Sequence, residues 1–164
     1  MILGMPALTF LHVVISLIGI VSGTVVAFGM VANKPLPLWT FLFLLSTVAT
    51  SVTGFLFFPF HHFMPSHAVG ILSLVVLAVA LFARYIRRLA GAWRWIYVVS
   101  AMLAFYFNFF VLIVQAFSKV PALKALAPKQ TEPPFVHTQL VTLAIFAVFT
   151  IIAALRFRPA RAAA

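Results

Sequence analysis

The sequence predicts an all-α fold: a polytopic membrane helix bundle with five transmembrane helices, in a single domain over residues 1–164. Three observations predict it. The chain is 65% hydrophobic and 7% charged, with a mean hydropathy of +1.22. A soluble domain carries roughly a quarter charged residues, so too little polar surface exists here to cover a water-exposed globule. Five apolar stretches approach the length of about 20 residues that a bilayer core requires. Prolines and basic residues separate those stretches, as expected where helices stop and turn at a membrane surface.

The first span is read over residues 7–31. It lacks a basic leader and is too long for the apolar part of a cleavable signal, so it is expected to remain as a span. The segment "NKPLP" stops it and admits the second, over 38–60. The segment "FPFHHFMPS" does the same before the third, over 67–83, with Ser66 as the expected cap. That third span is short, and Tyr85 with a snorkelling Arg84 extends it. The fourth covers 95–117. The loop "SKVPALKALAPKQTEPP" follows, with a short surface helix expected over 121–126. The fifth span covers 135–155.

Orientation follows from the basic residues. Alternating spans put Lys34, Arg84, Arg87, Arg88, Arg94, Arg156, Arg158 and Arg161 on one side, and Lys119, Lys124 and Lys129 on the other. Eight against three sets the first side in the cytoplasm, with the N-terminus outside and the C-terminus inside. Trp39, Trp93 and Trp95 fall at helix ends on that same side, where an indole favours the headgroup region. Net charge is +10 with Glu132 as the one acidic residue. Because the cations sit beside apolar runs, membrane lipid with anionic headgroups is the expected partner, and nucleic acid is not.

Lipid gives helices no hydrophobic reason to associate, so small and weakly polar residues mark the packed faces. In the first span His12, Ser16, Gly19 and Gly23 share one stripe, and the two glycines permit close backbone approach. In the second, Thr47, Thr50, Ser51, Gly54, Phe58 and His61 line up. In the fourth, Ser100, Ala104, Asn108 and Gln115 do so. Gly19, Gly23, Thr50 and Asn108 are therefore the expected packing and polar interior residues.

The topology sets all five histidines at the outer end. His12 lies inside the bundle, where an ionisable group is a functional hypothesis. The spans contain no Asp or Glu, so carboxylate relays, carboxylate-bridged metals and Ser–His–Asp chemistry lack their reagents. The absence of cysteine excludes disulfides, thiolate metal sites and iron–sulfur clusters. No catalytic residue can be assigned. Neutral imidazole binds haem iron and copper well. Haem b would take facing imidazoles from among His12, His67 and His137. Copper would take the soft nitrogen and sulfur set His61, His62, Met64 and His67. Structural zinc ranks third, because the spacing is no zinc signature.

The stretches "SVTGFLFFPFHH", "LAGAWRWIYVVSA" and "FVLIVQAFSKVPALKALAP" resemble a family of small uncharacterised bacterial inner-membrane proteins, over nearly the whole chain. That resemblance implies no particular activity. A fainter likeness runs to small b-type cytochromes, which hold haem between membrane helices with one histidine per helix. It implies at most one bis-histidine haem here, on His12 with His67 or His137, since no histidine lies at the inner leaflet. Three readings compete. The first is a redox or metal-handling protein whose partner is quinone or a respiratory membrane complex. The second is a non-catalytic accessory or assembly subunit of a larger membrane complex. The third is a small-solute or lipid transporter, for which only Asn108 and residues 47–51 offer midplane polarity. A homo-oligomer is compatible with each.

Overall fold

Prolines set most of the helix boundaries. In the computed structural model, which describes residues 6–57 and 65–159, α1 (Ala7–Val31) follows Pro6, and α2 (Pro37–Phe57), α3 (Pro65–Leu81), α5 (Pro121–Leu126) and α6 (Pro133–Arg156) each begin on a proline. Proline costs nothing at the first helical position, because that N–H has no intrahelical partner. It also explains why Ser66 falls inside the first turn of α3 rather than at its cap: Pro65 already occupies a helical position. The remaining helix, α4 (Trp93–Lys119), starts after a turn in which Arg88, Leu89 and Gly91 all have positive φ.

Five of these helices are long and apolar enough to cross a membrane: α1, α2, α3 with its extension, α4 and α6. The chain is thus an all-helical protein of the kind a bilayer accommodates, since helices satisfy their own backbone groups without water. The third span reaches Ile86 because a π-helical turn, Phe82–Ile86, continues α3. Arg84 sits in this turn, and its guanidinium lies 5.4 Å from the Tyr97 ring and 5.7 Å from the Tyr85 ring. The short helix at 121–126 forms as expected and lies against α4.

The hub is α4, which packs on α1, α2, α3, α5 and α6. Small residues on it let its neighbours approach: Ala101 and Ala104 are fully buried. Around them sits an aromatic cluster in which Phe105 meets Phe43, Phe109 and Phe146 edge-on, with centroids 5.1–5.8 Å apart. Such pairs add about 0.5–1.5 kcal/mol each beyond area burial. The buried core is concentrated toward the end that carries Lys34 and Arg84, with Met30, Leu44, Ala80, Tyr97 and Phe157 among its members.

That end is held by side chains that close helix termini. Arg94 Nη1 donates to the carbonyls of Ala154 at 3.1 Å and Phe157 at 2.5 Å, which are among the orphan acceptors at the end of α6. Asn33 adopts positive φ after α1, and its Oδ1 accepts from the Arg158 N–H at 2.7 Å. At the other end, Gln130 donates to the Val114 carbonyl at 2.9 Å and Ser118 Oγ at 2.8 Å, which fastens the α5–α6 loop to α4. Glu132 accepts from the backbone N–H groups of Lys129 and Thr131.

Candidate functional site

Polar side chains inside an apolar bundle must find one another, and α2 is where they meet. It carries Ser46, Thr47, Thr50, Ser51 and Thr53 within two turns, and each neighbouring helix supplies a partner. His12 on α1 lies 2.8 Å from Thr53 Oγ1 through its Nδ1. Asn108 on α4 donates from Nδ2 to Thr47 Oγ1 at 3.0 Å. Ser51 donates to Ser73 on α3 at 3.2 Å. A further link joins α6 to α4, where Gln139 Nε2 donates to the Phe110 carbonyl at 3.3 Å.

The glycines make this seam possible. A Cβ at Gly19 would stand 3.3 Å from Ser46 Oγ, 3.4 Å from Thr47 Oγ1 and 3.5 Å from Asn108 Nδ2, so three helices converge on that glycine. One turn on, a Cβ at Gly23 would stand 2.5 Å from the Phe105 ring and 3.0 Å from Phe43. The seam is polar at Gly19 and is closed by two aromatic rings at Gly23. Ser100 and Ala104, expected on the inner face of α4, are buried, whereas Gln115 is exposed near the end of the helix.

The histidines separate along different helices. His12 and His67 press on α2 from two sides: His12 against Thr53 and Gly54, and His67 stacked on Phe55 with centroids 6.1 Å apart and planes at 21°. Gly70 leaves the room Phe55 needs, because a Cβ there would stand 2.8 Å from its ring. His67 is only 3% exposed. α1 and α3 both pack on α2 and make no comparable contact with each other. His137 is exposed in the first turns of α6. Two residues further on, Gln139 faces α4; a two-residue step turns a helix by roughly 200°, so His137 points away from α4. Among the described residues, no three His, Asp or Glu side chains come together in a way that would hold a metal ion. His61, His62 and Met64 lie outside the described residues.

Sequence reasoning singled out His12, Thr47 and Asn108 but missed the roles of Thr53, Ser73, Gln139 and Arg94. Thr53 and Ser73 look like any weakly polar residue in an apolar run, and only the packing of three helices reveals their partners. The basic end was legible as charge. The structure adds that its cations stack on rings and cap carbonyls: Arg87 lies 5.2 Å from the Trp93 ring, and Arg94 4.7 Å from that of Trp95. Comparison with protein-family models, curated proteins and solved structures finds no match to this chain.

Proposed function

We propose that this chain is an accessory subunit of a bacterial inner-membrane complex, with its N-terminus outside, its C-terminus in the cytoplasm, and its basic end seated on anionic headgroups. One observation carries the reading. Lys34, Arg84, Arg87, Arg88, Arg94, Arg156 and Arg158 belong to one end of the bundle, and the single carboxylate side chain, Glu132, belongs to the other. Seven cations without a carboxylate need counter-charge, and the anionic cytoplasmic leaflet supplies it at about 1 kcal/mol per basic residue near the surface. The accessory role is compatible with the interior, where His12, Thr47, Ser51, Asn108 and Gln139 are engaged in contacts between helices. The test is lipid retention. Protein purified in mild detergent is expected to carry anionic phospholipid, and the Arg84→Gln, Arg87→Gln, Arg88→Gln triple variant to carry less. Equal retention of neutral and anionic lipid by both proteins contradicts the reading.

A second reading is favoured by the burial of His67 at the start of α3, immediately after the segment that holds His61, His62 and Met64. It is a copper site on those four residues, exchanging electrons with quinone or a respiratory membrane complex. Metal analysis of the purified protein tests it. Stoichiometric copper that His67→Ala removes supports this reading, and protein free of copper after growth with copper supplied removes it.

A further inference from the structure

The hydroxyl at the middle of α2 stands apart from the seam's bonded pairs. Thr50 Oγ1 is shielded from solvent, and no hydrogen-bond partner reaches it among the described residues. One turn toward the histidine end, Thr53 is bonded to His12; one turn the other way, Thr47 is bonded to Asn108. Residues three apart on a helix are neighbours, so Thr50 is the missing rung between two filled ones.

The facing helix says what belongs there. α1 and α2 run antiparallel, and three contacts fix their register: His12 opposite Thr53, Gly19 opposite Ser46 and Thr47, and Gly23 opposite Phe43. The same register sets Ser16 opposite Thr50. Ser16 Oγ donates its proton to the His12 carbonyl at 2.7 Å, which leaves its oxygen as an acceptor. Thr50 has a proton to give and an oxygen to accept with. The register sets these two residues at one level on facing helices, and no direct hydrogen bond joins them. The other serines and threonines of these helices bond mostly to the carbonyl four residues back, and Thr50 does not; a buried polar group that no protein group reaches is typically satisfied by an ordered water bridging two or more polar groups.

We propose that Ser16 and Thr50 bind a water molecule between α1 and α2, and that this water joins the two bonded rungs into one hydrated polar file. The file runs from His12, through Thr53, Thr50 and Thr47, to Asn108. Toward the basic end, Gly23 with the rings of Phe43 and Phe105 closes it. The ligand class is water, held by hydroxyl groups alone.

The substitution Thr50→Val separates a bridged hydroxyl from one that is merely stranded. If the hydroxyl is stranded, removing it raises the folded-to-unfolded ratio, because a buried unmet group disappears. If it holds water, the ratio falls by about tenfold, the equivalent of one lost hydrogen bond. Thr50→Ser is expected to keep the native ratio. Ser16→Ala is expected to lower it, and the pair Ser16→Ala with Thr50→Val to cost no more than either alone, since both break one bridge. Water-edited solid-state NMR of the native protein in lipid gives the direct readout: magnetisation is expected to pass from water to residues 16 and 50 before it reaches Phe43. A Thr50→Val protein as stable as the native chain or more so, or no water transfer to residue 50, overturns the proposal. Where Thr50→Val does not fold, the NMR measurement on the native protein decides alone.

Discussion

At the scale of single residues, two glycines four positions apart have different tolerances. Gly23 faces aromatic rings held by their own edge-on contacts, so a methyl group there has nowhere to go. Overpacking of this kind costs about 1–3 kcal/mol. Gly19 faces a hydroxyl at 3.3 Å that can give a few tenths of an ångström. Gly23→Ala is therefore expected to destabilise the protein in equilibrium unfolding in detergent clearly more than Gly19→Ala. Equal effects at the two positions contradict the packing described. The Asn108–Thr47 bond makes a second prediction. Interhelical hydrogen bonds in membrane proteins couple by about 0.6 kcal/mol on average, with a maximum near 1.7. A double-mutant cycle on Asn108→Leu and Thr47→Val is expected to give a coupling in that range, and no coupling would mean the two side chains do not meet.

At the scale of elements, the end of α6 depends on a side chain from α4. Arg94→Ala leaves the carbonyls of Ala154 and Phe157 without their donor. Hydrogen bonds to charged groups contribute about 1.5–3 kcal/mol, so the loss is expected near the lower end for a half-buried arginine. Amide exchange is expected to accelerate over residues 153–157 and to leave the α1–α2 contact unchanged; unaltered exchange at that terminus contradicts the capping role. The five spans were legible because apolar length and proline placement are written in the chain one residue at a time. So was the 121–126 helix, which Pro121 initiates. The π turn at Phe82–Ile86 was not, because it ends the span and no helix follows it to display the shift in phase. Gln115 shares the helical phase of Asn108, yet no neighbouring helix covers it, so phase alone did not predict its exposure. The pairings His12–Thr53 and Ser51–Ser73 depend on register between helices, which a single sequence does not encode. For the same reason, the expectation of a common membrane depth did not bring His12, His67 and His137 to one face.

At the scale of the whole molecule, composition, charge and packing describe one object: a bundle whose tightest core and most of whose cations belong to the same end. The aromatic closure at Gly23 separates that end from the polar seam. The central claim is that five spans cross the bilayer with the basic end inward. The chain has no cysteine, so any introduced thiol is a unique reporter. Ala90, in the exposed turn before α4, reports on the basic end; Ala125, exposed on α5, reports on the other. In intact cells, an impermeant thiol reagent is expected to label Ala125→Cys and leave Ala90→Cys unlabelled until the membrane is opened. Labelling of Ala90→Cys from outside with protection of Ala125→Cys would invert the orientation, and equal labelling of both from outside would break the five-span topology itself.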